Sequence, residues 1–311
     1  MELRNLGTSG LRVSLVGLGC NNFGWRIGLE DSRKVVDRAI DLGVTLFDTA
    51  DIYGEKGGSE TALGQILGAR RKDIVLATKF GMPMGDSDWL KGASRRRVMA
   101  AAEDSLKRLK TDWIDLYQLH QPDPRTPIEE TLRALDDLVR QGKVRYVGCS
   151  NLAGWQVADA QWTAREANLN AFVSCQDEYS LLMRGIEKEL LPAAGRFGLG
   201  LLPFFPLACG LLTGKYRGAA PKDARLAQVQ RFADKYMTER NLKTVDKLED
   251  WARSRGHSLL ELAFSWLAAN PATSSVIAGA TRPEQIEQNV KAVGWAPSAE
   301  ELAEVDRITA G

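Results

Sequence analysis

Thr126-Pro127-Ile128-Glu129-Glu130-Thr131-Leu132-Arg133-Ala134-Leu135-Asp136-Asp137-Leu138-Val139-Arg140-Gln141-Gly142, continuing into Lys143-Val144-Arg145-Tyr146-Val147-Gly148-Cys149, reads as one helix and the strand that follows it. Thr126 reads as the cap, Pro127 as the first helical residue and Glu129 as the return half of a capping box. Ile128, Leu132, Leu135 and Val139 recur at helical spacing and share one face. Gly142 is the stop, because glycine takes a left-handed backbone without steric cost. An earlier stretch repeats the design. Asp31 reads as its cap, Val35, Val36, Ala39, Ile40 and Leu42 as its apolar face, Gly43 as its stop, and Val44-Thr45-Leu46-Phe47 as the next strand.

Carried along the chain, this alternation gives eight candidate strands, near residues 15–18, 44–48, 74–79, 113–119, 144–149, 172–176, 200–204 and 274–278. Strands separated by helices imply parallel pairing through right-handed crossovers. Eight such units favour closure, so the fold class is α/β, a (β/α)8 TIM barrel. Thr8-Ser9-Gly10 between two short runs predicts an N-terminal β-hairpin that plugs one barrel end, and the chain closes with a C-terminal helical segment. No linker or composition shift divides residues 1–311, which read as a single domain. The least regular stretch is 207–240, with Gly210, Gly214, Gly218 and Pro221. A long irregular segment in a compact domain is usually functional.

The bulk properties restrict the function classes. Of 311 residues, 44% are hydrophobic and 26% charged, enough for a sizeable core. Lys+Arg at 41 against Asp+Glu at 40 gives a net charge of +1, which argues against nucleic acid and anionic membrane as partners. Arg95-Arg96-Arg97 reads as a solvated helix start. The N-terminus lacks a signal-peptide core and no window is apolar enough to span a membrane, so a cytoplasmic protein is expected. Cys20, Cys149, Cys175 and Cys209 read as reduced thiols, with Cys149 and Cys175 turned from the barrel axis. With only His120 and His257 in the chain, and no zinc-like spacing, no metal site is expected. His257 reads as solvent-facing, and Trp113 and Trp266 as core.

Barrel enzymes carry their chemistry at the C-terminal ends of the strands. The residues there are Asp48, Lys79, His120, Ser150 with Asn151, and Gln176. Tyr53 follows closely on Asp48. Taken singly, each has an ordinary structural reading; converging on one mouth, they make a proton-transfer site. A free tyrosine has a pKa of about 10, and a nearby ammonium lowers it. Lys79 supplies that charge, Asp48 holds Lys79, Tyr53 acts as general acid, and His120 donates a hydrogen bond to the same oxygen. A hydride source is missing, so a cofactor is implied. Trp25 and Trp89, in loops that overhang the mouth, are candidates for an apolar substrate pocket.

Asp48-Thr49-Ala50-Asp51-Ile52-Tyr53-Gly54 with Ser59-Glu60-Thr61-Ala62-Leu63-Gly64 closely resembles the signature of the aldo-keto reductase superfamily. So do Ala77–Gly81, Asp115–His120 and Val147–Asn151, in the right order, with the resemblance running to Gln285 and Asn289. The segment Gly210-Leu211-Leu212-Thr213-Gly214-Lys215-Tyr216 resembles the bacterial and potassium-channel-β-like branch. The resemblance implies a catalytic tetrad of Asp48, Tyr53, Lys79 and His120, and NADP(H) extended across the barrel mouth. It implies that Ser150, Asn151 and Gln176 hold the nicotinamide carboxamide and that Phe204 stacks on the ring. Leu207, Gly210, Leu212 and Lys215 would follow the dinucleotide. Gly279 would also contact the cofactor, Thr281 and Arg282 would lie beside the adenosine ribose, and Gln285 and Asn289 near the adenine. Arg282 beside a helix start suits a 2′-phosphate, hence NADP over NAD.

Two departures stand out: Phe204-Phe205 replaces the usual tyrosine and serine, and Asp177 places a carboxylate beside Gln176. The reading is an NADPH-dependent reductase of a small-molecule carbonyl substrate, and a monomer, with an oligomer left open. The alternative is an NADP(H)-binding regulatory or redox-sensing subunit. A phosphate-binding barrel lyase or isomerase leaves the tetrad unexplained.

Overall fold

The computed structural model describes residues 1–216 and 225–310. Gly218 and Pro221, part of the expected irregular stretch, lie outside the described residues. Two short strands, β1 (Leu3–Asn5) and β2 (Arg12–Ser14), pair antiparallel as a hairpin. The eight that follow are β3 (Val16–Gly19), β4 (Leu46–Asp48), β5 (Val75–Phe80), β6 (Ile114–Leu119), β7 (Val144–Ser150), β8 (Ser174–Glu178), β9 (Gly200–Phe204) and β10 (Val276–Gly279). All eight pair in parallel, each with its neighbour in sequence, and β10 returns to β3 to close the barrel. The (β/α)8 expectation holds, and each strand lies within or beside its expected range.

The core has two shells. Inside the barrel, Leu46, Ala77, Leu116, Leu202 and Ile277 pack with Leu6 and Val13 of the hairpin, which therefore plugs the bottom. The larger shell lies between strands and helices and takes in Cys149 and Cys175, on the outer faces of their strands as alternation predicts. The C-terminal helix Ala299–Ala310 is pinned by Trp251, whose indole N–H donates to Glu304 at 2.7 Å, and by Arg184, which bonds Asp306 at 2.7 Å.

Local details differ from the sequence reading in five places. The helix Leu29–Asp41 is entered at Gly28, so Asp31 lies in its first turn and pairs with Lys34 at 2.8 Å instead of capping. Pro127, not Thr126, stands at the cap of Ile128–Arg140; the Thr126 hydroxyl donates to Asp123 at 2.9 Å. Arg97 is buried against Asp51 at 2.8 Å, because the start of its helix packs under the barrel mouth. His257 is only partly solvent-facing, being half-buried with its ring stacked on Trp295, centroids 4.0 Å apart. Trp266 is buried, whereas Trp113 is half-buried beneath the Arg71 guanidinium.

Candidate active site

Strand alternation builds the site in layers. Leu46 and Asp48 share the inward face of β4, Ala77 and Lys79 that of β5, and Leu116, Gln118 and then His120 that of β6. The apolar member of each set fills the barrel interior; the polar members stand nearer the C-terminal mouth.

Lys79 is fully buried and is the hub. Its Nζ donates to Asp48 Oδ2 at 2.7 Å, to the Thr49 carbonyl at 2.9 Å and to the Tyr53 hydroxyl at 3.4 Å. The other oxygen of Asp48 accepts from the amides of Gln176 at 2.8 Å and Gln118 at 3.3 Å. His120 meets Tyr53 edge to face, ring centroids 5.6 Å apart. The structure thus brings Asp48, Tyr53, Lys79 and His120 together.

Tyr53 reaches this cluster through an unusual piece of backbone. Gly54, Glu55, Lys56 and Gly57 all have positive φ, at 66°, 60°, 71° and 113°. For an L-residue that conformation costs about 1–2 kcal/mol. At Gly54 a Cβ would also come within 2.4 Å of the Phe23 carbonyl oxygen, so only glycine fits. The left-handed run is held from behind. Ser59 donates to the Cys20 carbonyl at 2.8 Å, and Glu60 accepts from Thr78 at 2.6 Å and Arg108 at 2.7 Å. The Ser59-Glu60 part of the sequence signature is therefore structural: it fixes the segments that carry Tyr53 and Lys79.

The electrostatics set protonation states. Burial works against a charged Lys79, but Asp48 and Tyr53 outweigh it and hold the ammonium above its ordinary range. Burial pushes the Tyr53 phenol up; Lys79 pulls it down without cancelling that, and Asp48 adds to the rise. The expectation that Lys79 brings Tyr53 toward the phenolate is thus reversed, since desolvation of the anion is the larger effect. Burial, with Lys79 nearby, pushes the His120 imidazole down to about 3. At neutral pH the site holds an ammonium, a protonated phenol and a neutral imidazole.

These residues open on a cavity of about 1420 Å³. Ser150, Asn151, Gln176 and Phe204 line it at the strand ends. Asn151 takes a left-handed φ of 60° and its amide ties the His120 carbonyl and the Ser150 hydroxyl, each at 2.9 Å. Leu207, Gly210 and Lys215 line it from the segment after β9. Gly279, Thr281, Arg282, Gln285 and Asn289 line it after β10. There Gln285 accepts from the Thr281 amide at 2.7 Å, across the N-terminus of helix Pro283–Lys291.

Three expected participants fall outside the cavity lining. Leu212 turns into the core from the short helix Ala208–Thr213, leaving Gly210 and Thr213 on the cavity side. Trp89 is 65% exposed under the Arg96 guanidinium, and Met82 of the same loop lines the cavity instead. Asp177 is buried away from the cavity, where burial pushes its carboxyl well above the usual range. Trp25 does line the cavity.

Several residues escaped the sequence reading. Arg225 lies between the rings of Phe205 and Phe232, 5.0 Å from each centroid, with its Nε buried and unbonded. Asn22 donates to the Ala280 carbonyl at 3.3 Å and keeps Oδ1 unbonded in the cavity wall. Gln118 had one legible signal, its position two residues before His120 on the same inward face.

Comparison with known proteins agrees with this geometry. The chain is 39% identical over 306 residues to a probable voltage-gated potassium channel subunit beta of Oryza sativa subsp. japonica, covering 96% of this chain and 92% of that one. It is 37% identical over 319 residues to L-glyceraldehyde 3-phosphate reductase of Escherichia coli (strain K12), covering 99% and 92%. It is 39% identical over 303 residues to an uncharacterized oxidoreductase of Bacillus subtilis (strain 168), covering 94% and 91%. The sequence pattern of the aldo/keto reductase family matches residues 15–310. A buried lysine joined to an aspartate and a tyrosine at the mouth of a closed eight-stranded barrel, and these matches over almost the whole length, lead to one assignment: the chain belongs to the aldo/keto reductase family.

Proposed function

We propose that this single-domain chain is an NADP(H)-dependent oxidoreductase that reduces an aldehyde or ketone to an alcohol, with Tyr53 as the general acid. The observation that carries the reading is the buried Lys79 ammonium, matched by Asp48 at 2.7 Å and aimed at the Tyr53 hydroxyl at 3.4 Å. The Escherichia coli relative, L-glyceraldehyde 3-phosphate reductase, supports the direction of reaction.

The cavity fits a dinucleotide in size and charge. Its walls carry Arg26, Lys215, Arg225, Arg231 and Arg282 against the acids Asp48 and Glu55, and Asp48 is already matched by Lys79. This excess of positive charge, in a chain of net charge +1, suits the phosphates of a dinucleotide. Ser150, Asn151 and Gln176 would hold the carboxamide. Gln176 gives its N–H to Asp48, which leaves its carbonyl oxygen to accept from that carboxamide. Arg282, at the start of helix Pro283–Lys291, favours a 2′-phosphate and hence NADP over NAD. The chemistry that a reduced nicotinamide supplies when bound is hydride delivery to the carbonyl carbon.

The protein's own part is acid catalysis and orientation. His120, neutral, orients the carbonyl oxygen through one N–H. The Tyr53 phenol, kept protonated by burial, gives its proton to the oxygen as negative charge develops there. Lys79, ammonium throughout, stabilises the phenolate that remains, and Asp48 keeps Lys79 in place. Trp25, Ile52, Met82 and Phe232 provide apolar wall for the rest of the substrate.

The second reading, a regulatory NADP(H)-binding subunit, is favoured by the identity to probable channel β subunits. One experiment separates the two: fluorescence titration with NADPH and NADH, followed by turnover with a panel of aldehydes. Tight NADPH binding with many turnovers supports the reductase. Tight binding with a single turnover supports the regulatory role. Failure to bind either nucleotide overturns both.

A further inference from the structure

The two oxygens of Asp48 are not equivalent. Oδ2 takes the Lys79 ammonium at 2.7 Å. Oδ1 takes two amide donors, Gln176 at 2.8 Å and Gln118 at 3.3 Å. Gln176 lines the cavity; Gln118 is fully buried beneath it and does not.

Three features indicate that Gln118 is kept for its amide and not for packing. First, the inward residue before it on β6 is Leu116, in the apolar barrel interior, so a hydrocarbon would suit this depth. Second, Gln118 Oε1 is buried with no hydrogen-bond partner, an unfavourable state that an apolar side chain would avoid. Third, its register partner on β7 is Gly148. A Cβ there would come within 2.4 Å of Ser174 Oγ and 3.3 Å of Gln118 Cγ, so the missing side chain clears the space in which Gln118 lies.

We propose that Gln118 is a positioning residue of the proton-transfer chain, which together with Gln176 clamps the Asp48 carboxylate so that Lys79 stays within reach of Tyr53. The inference rests on the reading of Tyr53 as the acid. Gln118 touches neither the cavity nor Tyr53 and acts through Asp48 alone.

Losing its N–H has two effects of the same sign. Amide dipoles draw off part of the charge that Asp48 presents. Without one of them the carboxylate pulls harder on Lys79, and the 3.4 Å contact with Tyr53 lengthens. Tyr53 then feels less of the ammonium and more of the carboxylate, and holds its proton more tightly. The charged and titratable groups around Tyr53 are Asp48 on β4, Lys79 on β5, His120 after β6 and Arg225 in the segment after β9; Cys20, after β3, lies against Asp48 and Lys79. A substitution at Gln118 leaves all of them in the chain.

Gln118→Met keeps length and burial but removes both the N–H and the stranded carbonyl. With aldehyde and NADPH, kcat is expected to fall about three- to tenfold, with KM and NADPH affinity unchanged. The alkaline limb of the pH–kcat profile should move up by about half to one unit. Thermal stability should hold or rise, because the stranded acceptor is gone. A merely structural glutamine would give the reverse, a lower Tm with the pH profile in place, and that result overturns the proposal. A crystal structure of Gln118→Met supplies a reading that needs no turnover. A Lys79–Tyr53 separation longer than in a crystal structure of the wild type supports the clamp; Lys79–Asp48 and Lys79–Tyr53 separations unchanged between the two overturn it. Should the wild-type protein reduce no carbonyl, the reductase reading falls, and Gln118 is judged on those separations.

Discussion

A phenol can act as an acid near neutral pH only if its conjugate base has somewhere to rest its charge, and in the role proposed for Tyr53 that place is the Lys79 ammonium 3.4 Å away. Tyr53→Phe removes the proton while leaving the cavity walls, so kcat is expected to fall by roughly 10²- to 10⁴-fold with NADPH affinity little changed, as steady-state kinetics beside a binding titration will show. His120 makes a different demand. Its folded pKa, about 3, lies below the ordinary 6.5, so between those values the unfolded chain binds the extra proton. Stability is then lost as pH falls through that window, at up to about 1.4 kcal/mol per unit. The Tm of the wild type should therefore drop more steeply than that of His120→Phe from pH 6.5 to about 4, and parallel curves would show that His120 is not buried neutral. The tetrad was legible because each member ends a strand or follows one closely, where a barrel converges. Arg97 was not, since a run of three arginines looks solvated until the helix start is seen to pack on Asp51. Gln118 was legible only by its place two residues before His120, because an amide inside a strand announces no role of its own.

Among elements, the strands were easier to locate than the edges of the helices. Most of the barrel strands are short apolar runs between stops, which period and punctuation locate; β8, Ser174–Glu178, is largely polar and lies two residues beyond its expected range. Caps depend on the dihedral angles of the incoming loop, which the side-chain pattern does not carry; hence Asp31 and Thr126 looked like caps and are not. Ser258 is one: its hydroxyl accepts from the Glu261 amide at 3.2 Å, and Glu261 returns a bond to the Ser258 amide at 2.8 Å. Ser258→Ala should cost about 1 kcal/mol in denaturant unfolding, whereas Asp31→Ala should leave the midpoint unmoved. The left-handed run after Tyr53 was also out of reach, because Glu55 and Lys56 give no sign of positive φ and hold it only through the contacts around them.

At the scale of the whole molecule, net charge and local field part company. The chain is almost neutral, yet its one described mouth is lined by five cationic side chains. Arg282→Ala should weaken NADPH binding about tenfold and leave NADH nearly unaffected. A loss equal for both nucleotides would place Arg282 away from the 2′-phosphate.

The packed interior, with the hairpin beneath it, gives the cavity at the mouth a solid floor. Whatever enters must displace solvent toward the open side. With a hollow of about 1420 Å³, and each water occupying about 30 Å³, filling it exchanges molecules by the tens. Binding should thus carry an osmotic signature. Excluded solutes that lower water activity should tighten nucleotide binding in proportion to the water expelled, and an affinity indifferent to osmotic pressure would mean that the cavity is not emptied on binding.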